Sequence, residues 1–144
     1  VGEPAKPISK IASGGELSRM MLALKGIFSK HQGITSIIFD EVDTGVSGRV
    51  AQAIAEKIAN ISRSSQVLCI THLPQVAAMA DQQLLIEKEV TGKRTMTKLT
   101  EVTGRNRVQE LSRMMSGSEI TTLTLEHATE LLSIAEQRKK LSHV

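Results

Sequence analysis

The stretch that decides the fold runs from Thr35 to Ala77, "TSIIFDEVDTGVSGRVAQAIAEKIANISRSSQVLCITHLPQVA". It opens with "TSIIF" (Thr35 to Phe39), a short, β-branched apolar run that ends abruptly in charge, as expected of a strand covered on both faces. Val50, Ile54, Ile58 and Ile61 then recur at helical spacing, and the polar "SRSSQ" closes that helix. "VLCIT" (Val67 to Thr71) reads as a second buried strand, and Pro74 suits the first turn of a short helix reaching Met79. Strand, helix, strand, helix is the grammar of an α/β protein, a mainly parallel sheet flanked by helices.

Upstream, Pro4 and Pro7 keep the first residues extended, and regular structure begins at Ser13. Leu17, Met20, Met21, Leu24, Ile27 and Phe28 share one helical face, predicting a helix of about three turns with Gly33 at its exit. Downstream, "QLLIEKEV" and "RTMTKLTEV" flank Thr91-Gly92-Lys93 as a hairpin. Asn106, with Gln109 three residues on, can cap a helix carrying Val108, Leu111, Met114 and Met115. A last helix has Leu125, Ala128, Leu132 and Ala135 on one stripe, either core or a docking face, and ends in the basic "QRKK". No internal repeat or low-complexity segment interrupts this order.

The 144 residues suit a single domain. Hydrophobic residues at 40% and charged residues at 23% exclude a disordered chain, and no apolar run approaches the roughly 20 residues of a membrane span. The first residues lack the apolar core of a secretory signal, so a cytoplasmic location is expected. A lone cysteine, Cys69 within "QVLCIT", makes no internal disulfide and reads as a buried thiol. The net charge of +3 is compatible with approach to DNA without demonstrating it. With Phe28 and Phe39 as the only aromatic residues, base stacking on aromatic rings has little to work with.

Three clusters carry chemistry. Ser13-Gly14-Gly15-Glu16 is a capping box at a helix start, and its glycines also leave backbone N–H groups at the positive end of the helix dipole open to a phosphate. Asp40 and Glu41 leave the end of an apolar strand, where open α/β sheets bind ligands; one acid can hold Mg²⁺ while the other activates water, or both can be a solvated turn. His72 occupies the corresponding exit of the second strand, or serves in capping the helix begun at Pro74. Acid, imidazole and phosphate-binding amides together are parts of a nucleotide hydrolase. His31, His127 and His143 lack metal-ligand spacing, so zinc is not expected, and no G-x-S-x-G elbow is present. No G-x-x-x-x-G-K-[ST] occurs either, so the chain by itself is not expected to bind or hydrolyse a nucleoside triphosphate.

The order "ASGGELSR", "IIFDEVD", "ITH" resembles the C-terminal half of an ABC-type ATPase head of the SMC-like group. The wider wording, "DEVDTGVSG" with "THLPQVA" and "VQELSRMMSGSEIT", is similar to the DNA-repair branch of that group over most of the chain. The resemblance implies a C-terminal lobe of a P-loop ATPase head, residues 1–144, with the Walker A lobe and a long coiled coil lying elsewhere. It implies that Ser13, Gly14 and Gly15, with Glu16, form the signature motif that meets the γ-phosphate of ATP held by a second protomer. Asp40 matches the Walker B aspartate acting on Mg²⁺, Glu41 the general base, His72 the switch histidine, and the segment from Asp43 through Ser47 to Gly48 the D-loop at the dimer interface. Partners implied are the N-terminal lobe of the same head, a second copy, and DNA through the full-length protein; the process implied is double-strand break repair and recombination, on the bacterial nucleoid. Ala12 replaces the leucine that usually opens the signature, and Ser47 stands where most D-loops carry aspartate. "DEVD" rather than "DEPT" separates the chain from transporter halves.

Two other classes are weighed against this one. The motifs could serve folding and docking alone, in a non-catalytic interaction module, or the head could be that of another SMC-like or ABC protein. A sequence-specific DNA binder lacks a recognition helix; Lys6, Lys10, Arg19, Lys25 and Lys30 read as solvated or phosphate-facing charge.

Overall fold

A computed structural model describes residues 7, 12–92, 94–117 and 119–141. The expectations for Pro4, Lys6 and Lys10, and for the side chain of Lys30, fall outside what is described. The chain divides into two compact units, Val1–Thr71 and His72–Val144.

In the first unit, helix α1 (Gly14–Gln32) starts where the capping box predicts and stops at Gly33, whose φ of 61° is the left-handed conformation that glycine adopts without strain. At 19 residues it exceeds the expected three turns. The predicted apolar face is not the packed one. Leu17, Met20, Met21, Leu24, Ile27 and Phe28 stay exposed, while Gly15, Leu22 and Gly26 are buried. A face built on glycines has no hydropathy signal, yet it allows the closest approach: a Cβ on Gly26 would lie 3.1 Å from Ile61 Cδ1 of helix α2 (Gly48–Ile61). That helix buries Ala51, Ile54, Ala55, Ile58 and Ile61, and leaves Val50 outside.

Strands β1 (Ser36–Phe39) and β2 (Gln66–Cys69) pair in parallel, Phe39 opposite Cys69. Coverage on both faces is not observed. Ile37 and Phe39 are buried, but Ile38 at 59% and its cross-strand partner Leu68 at 49% are exposed, because no described residue of this unit covers their face. Arg19 and Lys25, expected as solvated or phosphate-facing charge, are half-buried and each also bonds to a backbone carbonyl of this unit. Lys25 donates to the Ile38 carbonyl at 3.1 Å with its ammonium 5.4 Å from the centre of the Phe39 ring, and Arg19 donates to the Thr44 carbonyl.

The second unit opens with helix α3 (Pro74–Met79), Pro74 in its first turn as expected. Six residues do not hold a helix in water, so its neighbours must. Arg107 Nη2 donates to the carbonyls of Ala77, Ala78 and Ala80 at 3.1, 3.2 and 2.7 Å, and its Nε to Gln83 Oε1 at 3.2 Å, satisfying the last carbonyls of α3 with a cation. Strands β3 (Gln83–Thr91) and β4 (Arg94–Val102) form the expected hairpin, antiparallel from Gln83↔Val102 to Thr91↔Arg94. The described strands thus form two two-stranded sheets, one parallel and one antiparallel, flanked by helices.

Helix α4 (Gly104–Ser116) begins two residues before Asn106, with Thr103 at the N-cap position. The amides of Asn106 and Arg107 already bond to the Thr103 carbonyl, so Asn106 sits inside the first turn instead of capping it. Helix α5 (Thr122–Leu141) buries Ala128 and Ala135, which makes its stripe core. Leu111 of α4 is fully buried in this unit. Leu111→Ala is expected to cost about 2–5 kcal/mol of stability, read from urea denaturation.

Candidate functional site

The first unit gathers the helix start and the acidic strand exit. At the helix start, Ser13 N–H and Oγ–H donate to Glu16 Oε2 at 2.8 and 2.9 Å, and Glu16 N–H donates to Ser13 Oγ at 3.3 Å. These bonds from Ser13 hold the Glu16 carboxyl below its ordinary value of 4.5. A lowered pKa stabilises the cap at pH values above 4.5, and that contribution is lost as pH falls through the lowered value.

The two glycines differ. A Cβ on Gly14 would meet nothing within 4 Å, whereas one on Gly15 would lie 2.5 Å from the Thr44 carbonyl oxygen. Arg19 Nη1 donates to that same oxygen at 3.1 Å. Gly15 is therefore glycine so that α1 can rest on the loop after β1, and nothing in the described chain requires Gly14 to be one.

The loop itself leaves β1 through exposed Asp40 and Glu41 and turns inward at Val42 and Asp43, which are 2% and 1% exposed. Glu41 has φ of 57°, the left-handed region that non-glycine residues enter at a cost and that clusters at functional sites. Thr44 N–H bonds to the Glu41 carbonyl at 3.3 Å and Val46 N–H to the Asp43 carbonyl at 3.4 Å, closing consecutive turns. Thr71 Oγ1 donates to Asp43 Oδ2, tying the loop to the chain beyond β2. Ser47 takes the N-cap position of α2 with no side-chain cap bond, its side chain exposed. His72 follows Thr71 directly and is exposed at the start of the second unit.

Cys69 is half-buried rather than buried, and donates weakly to the Ile70 carbonyl. Burial first, then the charges of Asp43 and Asp40, push its thiol up to about 12. The residues that sequence reasoning missed are Thr71, Arg19 and the Thr44 carbonyl. Thr71 had a signal: it lies two residues past Cys69, as Glu41 lies two past Phe39, its ladder partner.

Among the described residues no group of three or more His, Cys, Asp or Glu is arranged to hold a metal. Magnesium commonly takes one or two carboxylates and completes its shell with phosphate and water, so exposed Asp40 at a strand exit fits that ion.

This architecture has a counterpart among solved structures, in a chain from work on ATP-driven dimerization and DNA-stimulated activation of SMC ATPases. The TM-score is 0.52 at 21% identity, covering 82% of this chain and 70% of that one. The fold is that of an SMC ATPase head. In sequence, the chain is 64% identical over 138 residues to the DNA repair protein RecN of Halalkalibacterium halodurans and equally to that of Bacillus subtilis, and 46% identical over 139 residues to RecN of Treponema pallidum. Each match covers 96% of this chain and 24% of the relative. The chain is thus related to the RecN proteins throughout the segment it spans, about a quarter of the length of these curated relatives. No protein-family model matches it.

Two substitutions test the division of labour between the glycines. Gly15→Ala is expected to cost roughly 1–3 kcal/mol as the Thr44 carbonyl is displaced, while Gly14→Ala is neutral or stabilising by up to about 1 kcal/mol, both read from thermal or urea unfolding. Alkylation of Cys69 by iodoacetamide at pH 8 is expected to run about 100-fold slower than that of free cysteine, because its thiolate is scarce.

Proposed function

We propose that these residues form the C-terminal lobe of an SMC-like ATPase head that binds and hydrolyses ATP at a head-to-head dimer, in a protein of DNA double-strand break repair and recombination. The observation that carries this reading is Gly14: it stands at the N-terminus of α1, exposed, with none of the described residues within 4 Å of where a Cβ would lie, so its amide is open to a ligand. A phosphate delivered by a second subunit is such a partner, since bare amides at a helix N-terminus favour negative charge.

On this reading Ser13, Gly14 and Gly15, capped by Glu16, receive the γ-phosphate from the opposite protomer. Asp40, exposed at the strand exit, would hold Mg²⁺ together with the phosphates. Glu41 takes the proton of the attacking water, and His72 donates to the phosphoryl oxygens. Asp43 and Ser47 belong to the loop that lies along the dimer interface. ATP with Mg²⁺ supplies the anhydride bond and the neutralising charge. The Walker A lysine belongs to an N-terminal lobe, which joins this one, and DNA is engaged by the full-length protein. On this reading the head works in the cytoplasm on the nucleoid; no helix among the described residues is long and apolar enough to cross a membrane.

In the full-length protein, Glu41→Gln is expected to lower ATP turnover by roughly 10²- to 10⁴-fold and to accumulate an ATP-bound dimer, read by light scattering with and without nucleotide. Unchanged turnover would remove Glu41 as the base. Dimers that ignore nucleotide would return the motifs to folding and docking.

A further inference from the structure

Resting on the reading of Glu41 as the base, we propose that Thr71 is a positioning residue for it, its hydroxyl holding the Glu41–Val46 loop through the buried carboxylate of Asp43. Glu41 sits in a backbone conformation that costs energy and persists only where the surroundings over-determine it. From one side, Arg19 and Gly15 of α1 fix the Thr44 carbonyl. From below, Val42 and Asp43 are sunk into the unit. From the other side, Thr71 Oγ1 reaches Asp43, two residues past Glu41. The loop's own amides, Thr44 to Glu41 and Val46 to Asp43, complete a frame in which moving Asp43 moves the peptide that aims Glu41.

The ladder explains why the bond falls there. Phe39 and Cys69 are the last pair of β1 and β2, and the Ile70 amide still bonds to the Phe39 carbonyl at 2.9 Å. The two strands therefore leave the sheet side by side, and a short hydroxyl beyond one meets an inward carboxylate beyond the other. Thr71 does not touch substrate; it acts by restraint, and it is the residue immediately before His72.

The test uses the full-length protein. Thr71→Val keeps the shape and deletes the donor, and Thr71→Ser keeps the donor. Where Thr71→Val does not fold, Thr71→Cys, a weaker donor of similar size, takes its place. Without nucleotide, hydrogen exchange at the Thr44 and Val46 amides is expected to quicken roughly tenfold in Thr71→Val while exchange elsewhere stays as it was. With ATP, kcat is expected to fall roughly tenfold to a hundredfold at an unchanged KM, Thr71→Ser is expected to match the parent in both, and Thr71→Val is expected to add no loss to Glu41→Gln. Unchanged exchange at those amides, an equal loss in Thr71→Ser, or a further loss of the same factor in the Glu41→Gln background would each overturn the proposal. Full turnover by Glu41→Gln alone would overturn the catalytic reading instead, and exchange in the nucleotide-free protein would still report whether Thr71 restrains the loop.

Discussion

At the carbonyl of Thr44 the start of α1 and the loop after β1 are pressed together. A hydrogen atom at Gly15 leaves room for that oxygen, and the Arg19 guanidinium donates to it. A carbonyl gripped this way cannot rotate freely, so the turn that begins at Glu41 is anchored at its far end. The remaining features of the first unit follow from that contact: α1 lies on its glycine face, its apolar side chains point elsewhere, and the N-terminal amides stay beside the acidic loop.

Much of this was legible in the residues. Strand order, the Pro74 helix, the hairpin from Gln83 to Val102 and the cap at Ser13 are written in local chemistry: β-branched runs, ring-fixed φ, a glycine turn, a serine and glutamate three apart. The candidate site was legible as a set of motifs, but its internal bonds were not. Nothing in "DEVD" says that the second aspartate is buried, or that a threonine 28 positions later donates to it. Packing faces were harder still. Hydropathy weighs leucine and methionine, so it chose the side of α1 that stays wet, whereas the side that packs does so through the absence of side chains at Gly15 and Gly26. Asn106 misled for a related reason: its side chain suits a cap, but the ladder stops at Val102 and Thr103, one residue past β4, already takes the N-cap position.

The two adjacent glycines show how one motif can answer to two masters. Gly15 is explained by sterics inside the chain, and Gly14 is not. Sequence alone treats them as a pair. Telling the two apart needs the described neighbours of each, which spacing and hydropathy do not supply.

The exposed side chains of α1, together with Ile38, Leu68 and Ile70, carry a thermal consequence. Hydration of hydrocarbon becomes less unfavourable on cooling, so the tendency of such a face to shed its water weakens in the cold and strengthens on warming. Preparations of this chain should therefore stay dispersed best near the freezing point, and sulfate or other excluded salts should drive them together first.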